Sequence, residues 1–208
     1  MFTGIIEELG TISALNQKDQ VLVLTISAPK TAPKLALGDS VAIDGACFTM
    51  VSSTPDSFTV EAIPETQERT IIKNYTVGSI VNLETTLTLG KGISGHLVQG
   101  HVDGVGKVTS INEQHEIEIE FPRELGRFMA FKGSITVNGV SLTISKLMLD
   151  TFQVSLIPFT LEQTNLGKLT AGSPVNLEID LIARYLERML EAQEGQAKYH
   201  FLQERNLI

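Results

Sequence analysis

Apolar and polar residues alternate along most of the chain. Val21-Leu-Val-Leu-Thr-Ile26, Ser40-Val-Ala-Ile43, Phe58-Thr-Val60 and Ile80-Val-Asn-Leu83 are short, β-branched runs bounded by Gly, Pro, Asp or Asn. A period of two with these residue types predicts strands rather than helices. The pattern returns in Glu116-Ile-Glu-Ile-Glu120 and Ser134-Ile-Thr-Val137. Asp44-Gly45 and Asn138-Gly139 each interrupt an apolar run, and both dipeptides tolerate positive φ, so each predicts a tight hairpin. Many short strands with a turn every eight to twelve residues or so indicate a small closed barrel or a sandwich. Short helices are expected in the connections at Pro29–Leu35, Glu65–Ile72, Pro122–Phe128 and Leu161–Leu166.

The pattern is written twice. Gly78-Ser-Ile-Val-Asn-Leu-Glu84 recurs as Gly172-Ser-Pro-Val-Asn-Leu-Glu178, a shift of 94 (172 − 78). The same shift carries the block Phe58 to Thr70 onto Phe152 to Thr164, and Asp39 to Thr49 onto Gly133 to Thr143. One constant offset across three blocks marks a duplicated domain. Two copies of roughly 90 residues, each able to hold its own core, make twin domains rather than a solenoid. The expected division is 1–94, 95–180 and a tail over 181–208.

That tail changes period. After Asp180, a candidate N-cap, the apolar positions are Leu181, Ile182, Tyr185, Leu186, Met189 and Leu190, with Arg184, Glu187, Arg188 and Glu191 between them. This is a helical stripe. It can cap its own barrel or meet another copy of the chain, and its regularity outside both repeats favours oligomer contact. A weak apolar pattern at Tyr199, Phe201 and Leu202 suggests a short extra helix in the last residues.

Charge and composition narrow the function. The net charge is −8 with no Lys/Arg cluster, which argues against a nucleic-acid surface. A single cysteine cannot form an internal disulfide and favours a reducing compartment. The start of the chain lacks a basic, apolar leader, and no apolar run is long enough to span a bilayer. The expectation is a soluble, cytoplasmic protein without a membrane partner.

The two copies differ at chemically useful positions. Cys47 aligns with Ser141, and each is followed two residues later by a threonine, Thr49 or Thr143, on the same strand face. Two similar sites suggest two similar ligands. Against this, a lone cysteine is ordinarily a small buried hydrophobe, and threonines suit strands anyway. Gly95-His-Leu-Val-Gln-Gly-His101 is the densest stretch of glycine and histidine, at the junction of the copies. Histidines five apart in an extended segment face opposite ways, so shared metal ligation is disfavoured and no metal is expected. A histidine beside glycine is a candidate for proton transfer near neutral pH. No phosphate loop, dinucleotide fingerprint or nucleophile elbow is present.

The opening Met1-Phe-Thr-Gly-Ile-Ile-Glu7, together with Asp44-Gly-Ala-Cys-Phe-Thr49, Gly95-His-Leu-Val-Gln-Gly-His-Val-Asp-Gly104 and Asn138-Gly-Val-Ser-Leu-Thr143, resembles the riboflavin synthase family of the α-chain type. Pro64-Glu-Thr66, Leu156-Ile-Pro-Phe-Thr160 and Val175-Asn-Leu-Glu-Ile-Asp180 fit as well, and the likeness runs in order from residue 1 to about 190. The resemblance implies a mainly β fold of tandem Greek-key barrels with a C-terminal oligomerisation helix, assembled as a homotrimer. It implies a dismutation that needs no cofactor. Two molecules of 6,7-dimethyl-8-ribityllumazine exchange a four-carbon unit to give riboflavin and 5-amino-6-(D-ribitylamino)uracil. Donor and acceptor are one compound, so two like barrels can present them face to face, one barrel from each of two subunits. A lumazine synthase shell is a further partner the family allows.

Carried over residue by residue, the resemblance places Cys47, Phe48, Thr49, Glu61, Ala62, Ile63, Pro64, Glu65 and Thr66, with Gly100, His101 and Val102, around the first pocket. It places Gly4, Ile5, Ile6, Ser141, Leu142 and Thr143, with Ser155, Leu156, Ile157, Pro158, Phe159 and Thr160, around the second. Lys132 would reach across from a partner subunit and Phe2 would close the pocket. The 7-methyl of the lumazine is acidic because its carbanion delocalises into the ring, so orientation and modest acid–base help suffice. His101 is the expected proton-transfer group, Ser141 and Thr143 the polarising hydroxyls, with Ser40 and Cys47 near the accepting ring. The chain departs from the family pattern at Asp44, Asn138, Gln67-Glu68 and Phe159. The competing readings are a non-catalytic lumazine- or flavin-binding antenna protein and the barrel module of a flavin reductase. Retention of the thiol, histidine and hydroxyl positions favours the enzyme.

Overall fold

In a computed structural model, the backbone is described for residues 1–204 and the side chains for residues 1–193. Twelve strands form two closed six-stranded antiparallel barrels, which decides for barrels over a sandwich. The first contains β1 (Glu8–Lys18), β2 (Val21–Ser27), β3 (Ser40–Ile43), β4 (Ala46–Ser53), β5 (Ser57–Ala62) and β6 (Ile80–Thr85). The second contains β7 (Gly104–Ile111), β8 (Glu116–Glu120), β9 (Ser134–Val137), β10 (Val140–Leu147), β11 (Thr151–Ser155) and β12 (Pro174–Ile179). Around the first barrel the order is β1-β2-β5-β4-β3-β6, and the second repeats it strand for strand. The run β2-β5-β4-β3 is a Greek key: a meander of three strands with the preceding strand returned beside its last.

Alternation builds each core. Along β4, Ala46, Phe48 and Met50 turn inward while Cys47 and Thr49 face outward. Leu24, Ile26, Val41, Phe58, Val60, Val81 and Leu83 complete one apolar cluster, and Val108, Ile119, Ile135, Val137, Phe152, Val154 and Leu177 anchor the other. Matching irregularities break the register at Ile12/Ala14 and Met50/Ser52 in one barrel, and at Val108/Ser110 and Ile144/Lys146 in the other. Such bulges bend strands enough to close a small barrel.

The connections carry shorter helices than the sequence suggests. Short 3₁₀ segments stand at Ala32–Lys34 and Arg123–Phe128, while α1 (Pro64–Arg69) and α2 (Pro158–Gln163) each lead into a 3₁₀ turn. The expected helix at Leu161–Leu166 therefore begins three residues earlier, because Pro158 supplies a preset φ at the first helical position. Asp44, Gly45, Asn138 and Gly139 all have positive φ, so both hairpins are of the primed type the dipeptides predict.

These two hairpins pack on each other at a pseudo-twofold axis, with room for nothing larger than glycine between them. A Cβ on Gly45 would lie 2.7 Å from the Gly139 nitrogen. Around them runs a buried amide network. Asp44 accepts from Tyr75 Oη (2.6 Å), from the Asn82 N–H (2.7 Å) and from Asn165 Nδ2 (2.8 Å). Asn176 donates to the Asp44 carbonyl and accepts from the Ile71 N–H. Asp44 and Asn138, the two departures at the turns, thus belong to the joint between the barrels.

The tail is one helix, α3 (Leu181–Glu204), so the expected separate terminal helix is instead a continuation of it. The side chains of Tyr199, Phe201 and Leu202, and everything from residue 205 on, lie outside the described residues. Asp180 accepts from the Ile182 N–H at 2.9 Å and caps the helix. The polar side turns toward its own barrel, where Arg127 meets Glu191 at 2.9 Å and Arg184 meets Asp103 at 2.7 Å. The apolar stripe of Ile182, Tyr185, Leu186, Met189 and Leu190 is left facing outward, each residue more than half exposed. Among the described residues no helix is long and apolar enough to cross a membrane.

Candidate active site

The segments that precede each barrel cross over. Phe2 and Val98 form an antiparallel bridge, exchanging N–H···O bonds of 2.7 and 3.1 Å. From that bridge the first segment runs to the second barrel, where the Gly4 carbonyl accepts from the Ser141 N–H at 2.8 Å. The other segment runs to the first barrel, where the Gly100 carbonyl accepts from the Cys47 N–H at 2.9 Å. Both glycines have positive φ and lie against their partners. A Cβ on Gly4 would sit 2.5 Å from Ser141 Cβ, and one on Gly100 would sit 2.6 Å from Cys47 Cβ. Ile6 accordingly packs on the second core and Val102 on the first. The repeat predicts a division near residue 94, but each half-site takes its floor from the other half's leading segment.

The first half-site is a cavity of about 260 Å³ that brings together Cys47, Glu65, Thr66, Gly100, His101 and Val102 from the sequence-derived set. Ala46, Arg69 and Thr70 complete it and were not among the candidates. The duplicated block from Phe58 to Thr70 ends on these last two, so the repeat carried a signal for them. Cys47 is half-buried and unbonded at sulfur among the described residues. Beneath it, Phe2, Ala42 and Val98 form a small apolar cluster. Phe2 is fully buried there, so it anchors the crossover from below and does not close the pocket. Ser40 pairs with Thr49 across β3 and β4, about two residues along the outer face from Cys47.

At the second half-site two of the corresponding positions are polar, Ser141 for Cys47 and Thr136 for Ala42. His96 Nδ1 lies 2.7 Å from Ser141 Oγ, and His96 Nε2 lies 3.2 Å from the buried Thr136 Oγ1. Burial pushes the His96 pKa down, only partly offset by the charge of Asp180. A ring kept neutral can accept a proton. This serine–histidine–threonine chain was missed from sequence because its members are 40 and 45 residues apart. His101, the expected proton carrier, faces the thiol cavity, where the resemblance places it.

Several expected lining residues turn into the barrel cores. Phe48, Ala62 and Leu156 sit in the barrel cores, and Leu142 packs partly against one. Strand alternation turns Phe48, Ala62 and Leu142 inward, and Leu156 is buried directly after β11. Thr49, Glu61, Thr143 and Ser155 point outward, as do Ile5, Ile63, Pro64, Ile157, Pro158 and Phe159, while Thr160 is half-buried. Lys132 occupies a left-handed turn before β9 with its amine 5.2 Å from the Phe131 ring centre, on the surface.

Two buried carboxylates hold the crossover. Glu84 on β6 accepts from the Thr3 N–H and hydroxyl, both at 2.7 Å, and from the Gly4 N–H at 3.0 Å. Glu178 on β12 accepts from the Gln99, Gly100 and His101 N–H groups at 2.6, 3.0 and 3.0 Å. Burial raises both pKa values, that of Glu178 to about 7 with Asp103 adding to the rise, although the donated N–H groups favour the anions.

Duplicated Greek-key barrels with paired, crossed half-sites define a lumazine-binding class of protein. The family model for the lumazine binding domain matches the chain twice, over residues 3–86 and 99–180. Riboflavin synthase of Bacillus subtilis is 42% identical over 193 residues, covering 91% of this chain and 90% of the relative. Riboflavin synthase of Mycobacterium tuberculosis is 42% identical over 199 residues, covering 92% and 99%. The chain belongs to the riboflavin synthase family and is a transferase. In structure it is similar to LumP solved with 6,7-dimethyl-8-(1'-D-ribityl) lumazine, with a TM-score of 0.78 and 27% identity over 86% of this chain and 98% of that one.

Proposed function

We propose that the protein is a riboflavin synthase that dismutates two molecules of 6,7-dimethyl-8-ribityllumazine into riboflavin and 5-amino-6-(D-ribitylamino)uracil, with no cofactor. The observation that carries this is the inequality of two half-sites built on one backbone plan. A binding protein needs only a pocket. A dismutase must give two identical molecules different fates, and here one meets a thiol while the other meets a hydroxyl joined to a neutral histidine. With the His96 proton on Nε2 and directed at Thr136, Nδ1 is free to take the proton of Ser141. Ser141 Oγ then serves as the base for the 7-methyl proton of the lumazine lying on Gly4 and Thr143. Cys47, with Ser40 and Thr49 along the same strand face, meets the other lumazine, and His101 borders that ring.

The LumP structures supply the second reading, a non-catalytic binder. Identity of 42% to synthases against 27% to LumP favours the enzyme. The first cavity, at about 260 Å³, is smaller and more open than a site enclosing a whole ligand. A second wall from a neighbouring subunit fits it, and the outward apolar stripe of α3 fits a homotrimer. A cytoplasmic location follows from the activity and the lone free thiol.

Mixing the protein with the lumazine, with nothing added, tests this. Riboflavin and the pyrimidinedione in equal amounts support the synthase. Tight fluorescent binding without products supports the antenna reading.

A further inference from the structure

We propose that Glu178 and Glu84 are crossed positioning residues, each standing on one barrel and setting the geometry of the half-site on the other. The inference deepens the functional reading above and rests on it for its kinetic arm. Glu178 belongs to β12 of the second barrel, yet the three N–H groups it holds are those of Gln99, Gly100 and His101, and the last two line the Cys47 cavity. Glu84 belongs to β6 of the first barrel, yet it holds Thr3 and Gly4, which lie against Ser141. Neither carboxylate has a Lys or Arg ion partner among the described residues, and both are almost wholly buried. Backbone N–H groups satisfy Glu178, and backbone N–H groups together with the Thr3 hydroxyl satisfy Glu84.

Only a carboxylate fits this role. At both positions each oxygen accepts from at least one N–H, so an amide in place of the acid would aim its own NH₂ at a donor. The facing N–H would be left unpaired in a dry site, and the segment would have to shift. Gly100 and Gly4 cannot shift far inward, because the strand beneath already touches them. They would lift toward the ligand, and a displacement of about 1 Å between two stacked reactants can cost about 10²-fold in rate.

The test uses the full chain with Glu178→Gln and Glu84→Gln, followed by hydrogen–deuterium exchange of peptides and by steady-state turnover of the lumazine. Glu178→Gln is expected to speed exchange in Gln99–His101 and to leave Thr3–Gly4 protected, and Glu84→Gln is expected to do the reverse. Each should lower kcat about 10²-fold with a far smaller rise in KM. The protected segment in each variant doubles as the control for folding. Exchange rising equally in both segments, rising in the segment on the residue's own barrel, or staying unchanged would overturn the crossed arrangement. Faster exchange in the crossed segment with unaltered kcat would overturn the positioning role. Should the wild-type chain bind lumazine without converting it, the synthase reading fails, and the exchange pattern alone still decides the crossed arrangement.

Discussion

The two half-sites share a backbone and differ in chemistry. In each, an outward residue of a barrel strand donates its N–H to the carbonyl of a left-handed glycine delivered from the other half of the chain. At the first barrel that residue is Cys47, underlain by Phe2, Ala42 and Val98. At the second it is Ser141, wired through His96 to Thr136. Thr136 occupies the repeat position of Ala42, so one exchange of alanine for threonine, which adds a hydroxyl, lets the histidine be held at both nitrogens. Duplication supplied two matching cradles, and a handful of substitutions made them unequal. Inequality is what a reaction between identical molecules needs.

The comparison breaks most severely at the relay. His96→Ala or Ser141→Ala should lower kcat about 10³-fold while lumazine still binds, and the double variant should lose little more, because the two act as a unit. Fully additive losses in a kinetic cycle would show that the two side chains act independently.

Next come the crossover glycines. Gly4→Ala and Gly100→Ala force a Cβ to within 2.5 and 2.6 Å of a neighbouring Cβ at positive φ. Each should cost about 1–3 kcal/mol of stability and most of the activity, measured by melting and turnover. Unchanged melting would mean that the segments do not seat as described.

A milder change sharpens the contrast. Cys47→Ser gives the first half-site the hydroxyl of the second without its histidine, and kcat should fall about tenfold or less. A loss matching that of Ser141→Ala would mean the two sites are chemically equal after all.

The smallest effect belongs to the joint. Burial raises the Asp44 carboxyl from its ordinary 3.8 to about 7. The folded chain therefore holds that proton more tightly than the unfolded one, and stability falls as pH climbs from about 4 to about 7. Asp44→Asn copies Asn138, keeps the acceptor for Asn82 and Asn165, and removes the titration. It should flatten that part of the pH profile and raise the melting temperature above pH 7, with Glu178 leaving a residual slope of the same sign. A variant that melts lower at every pH would show that the anion is needed at the joint.

Local signals made the barrels legible. Alternation gave the strands, Asp44-Gly45 and Asn138-Gly139 gave the hairpins, and the shift of 94 gave the second copy. Cys47 and His101 meet as expected because both lie in the matched motifs. The crossover was hidden for a definite reason. Gly4 corresponds to Gly100 at a shift of 96 (100 − 4), outside the constant offset, and its contacts run to Ser141 and Glu84, far along the chain. For the same reason the contact of His96 with Ser141 was not legible in the sequence. The two histidines do face opposite ways, but which one reaches a serine depends on a contact 45 residues away. Phe2 read as a lid because a terminal aromatic offers no local clue that a bridge to Val98 will bury it.

The most direct test of this asymmetry follows the 7-methyl group of the lumazine in deuterium oxide by proton NMR, comparing His96→Ala with His101→Ala. Loss of enzyme-catalysed methyl exchange in the first and its retention in the second is the predicted result. Retention in His96→Ala with loss in His101→Ala would contradict the account and return proton removal to the thiol half-site.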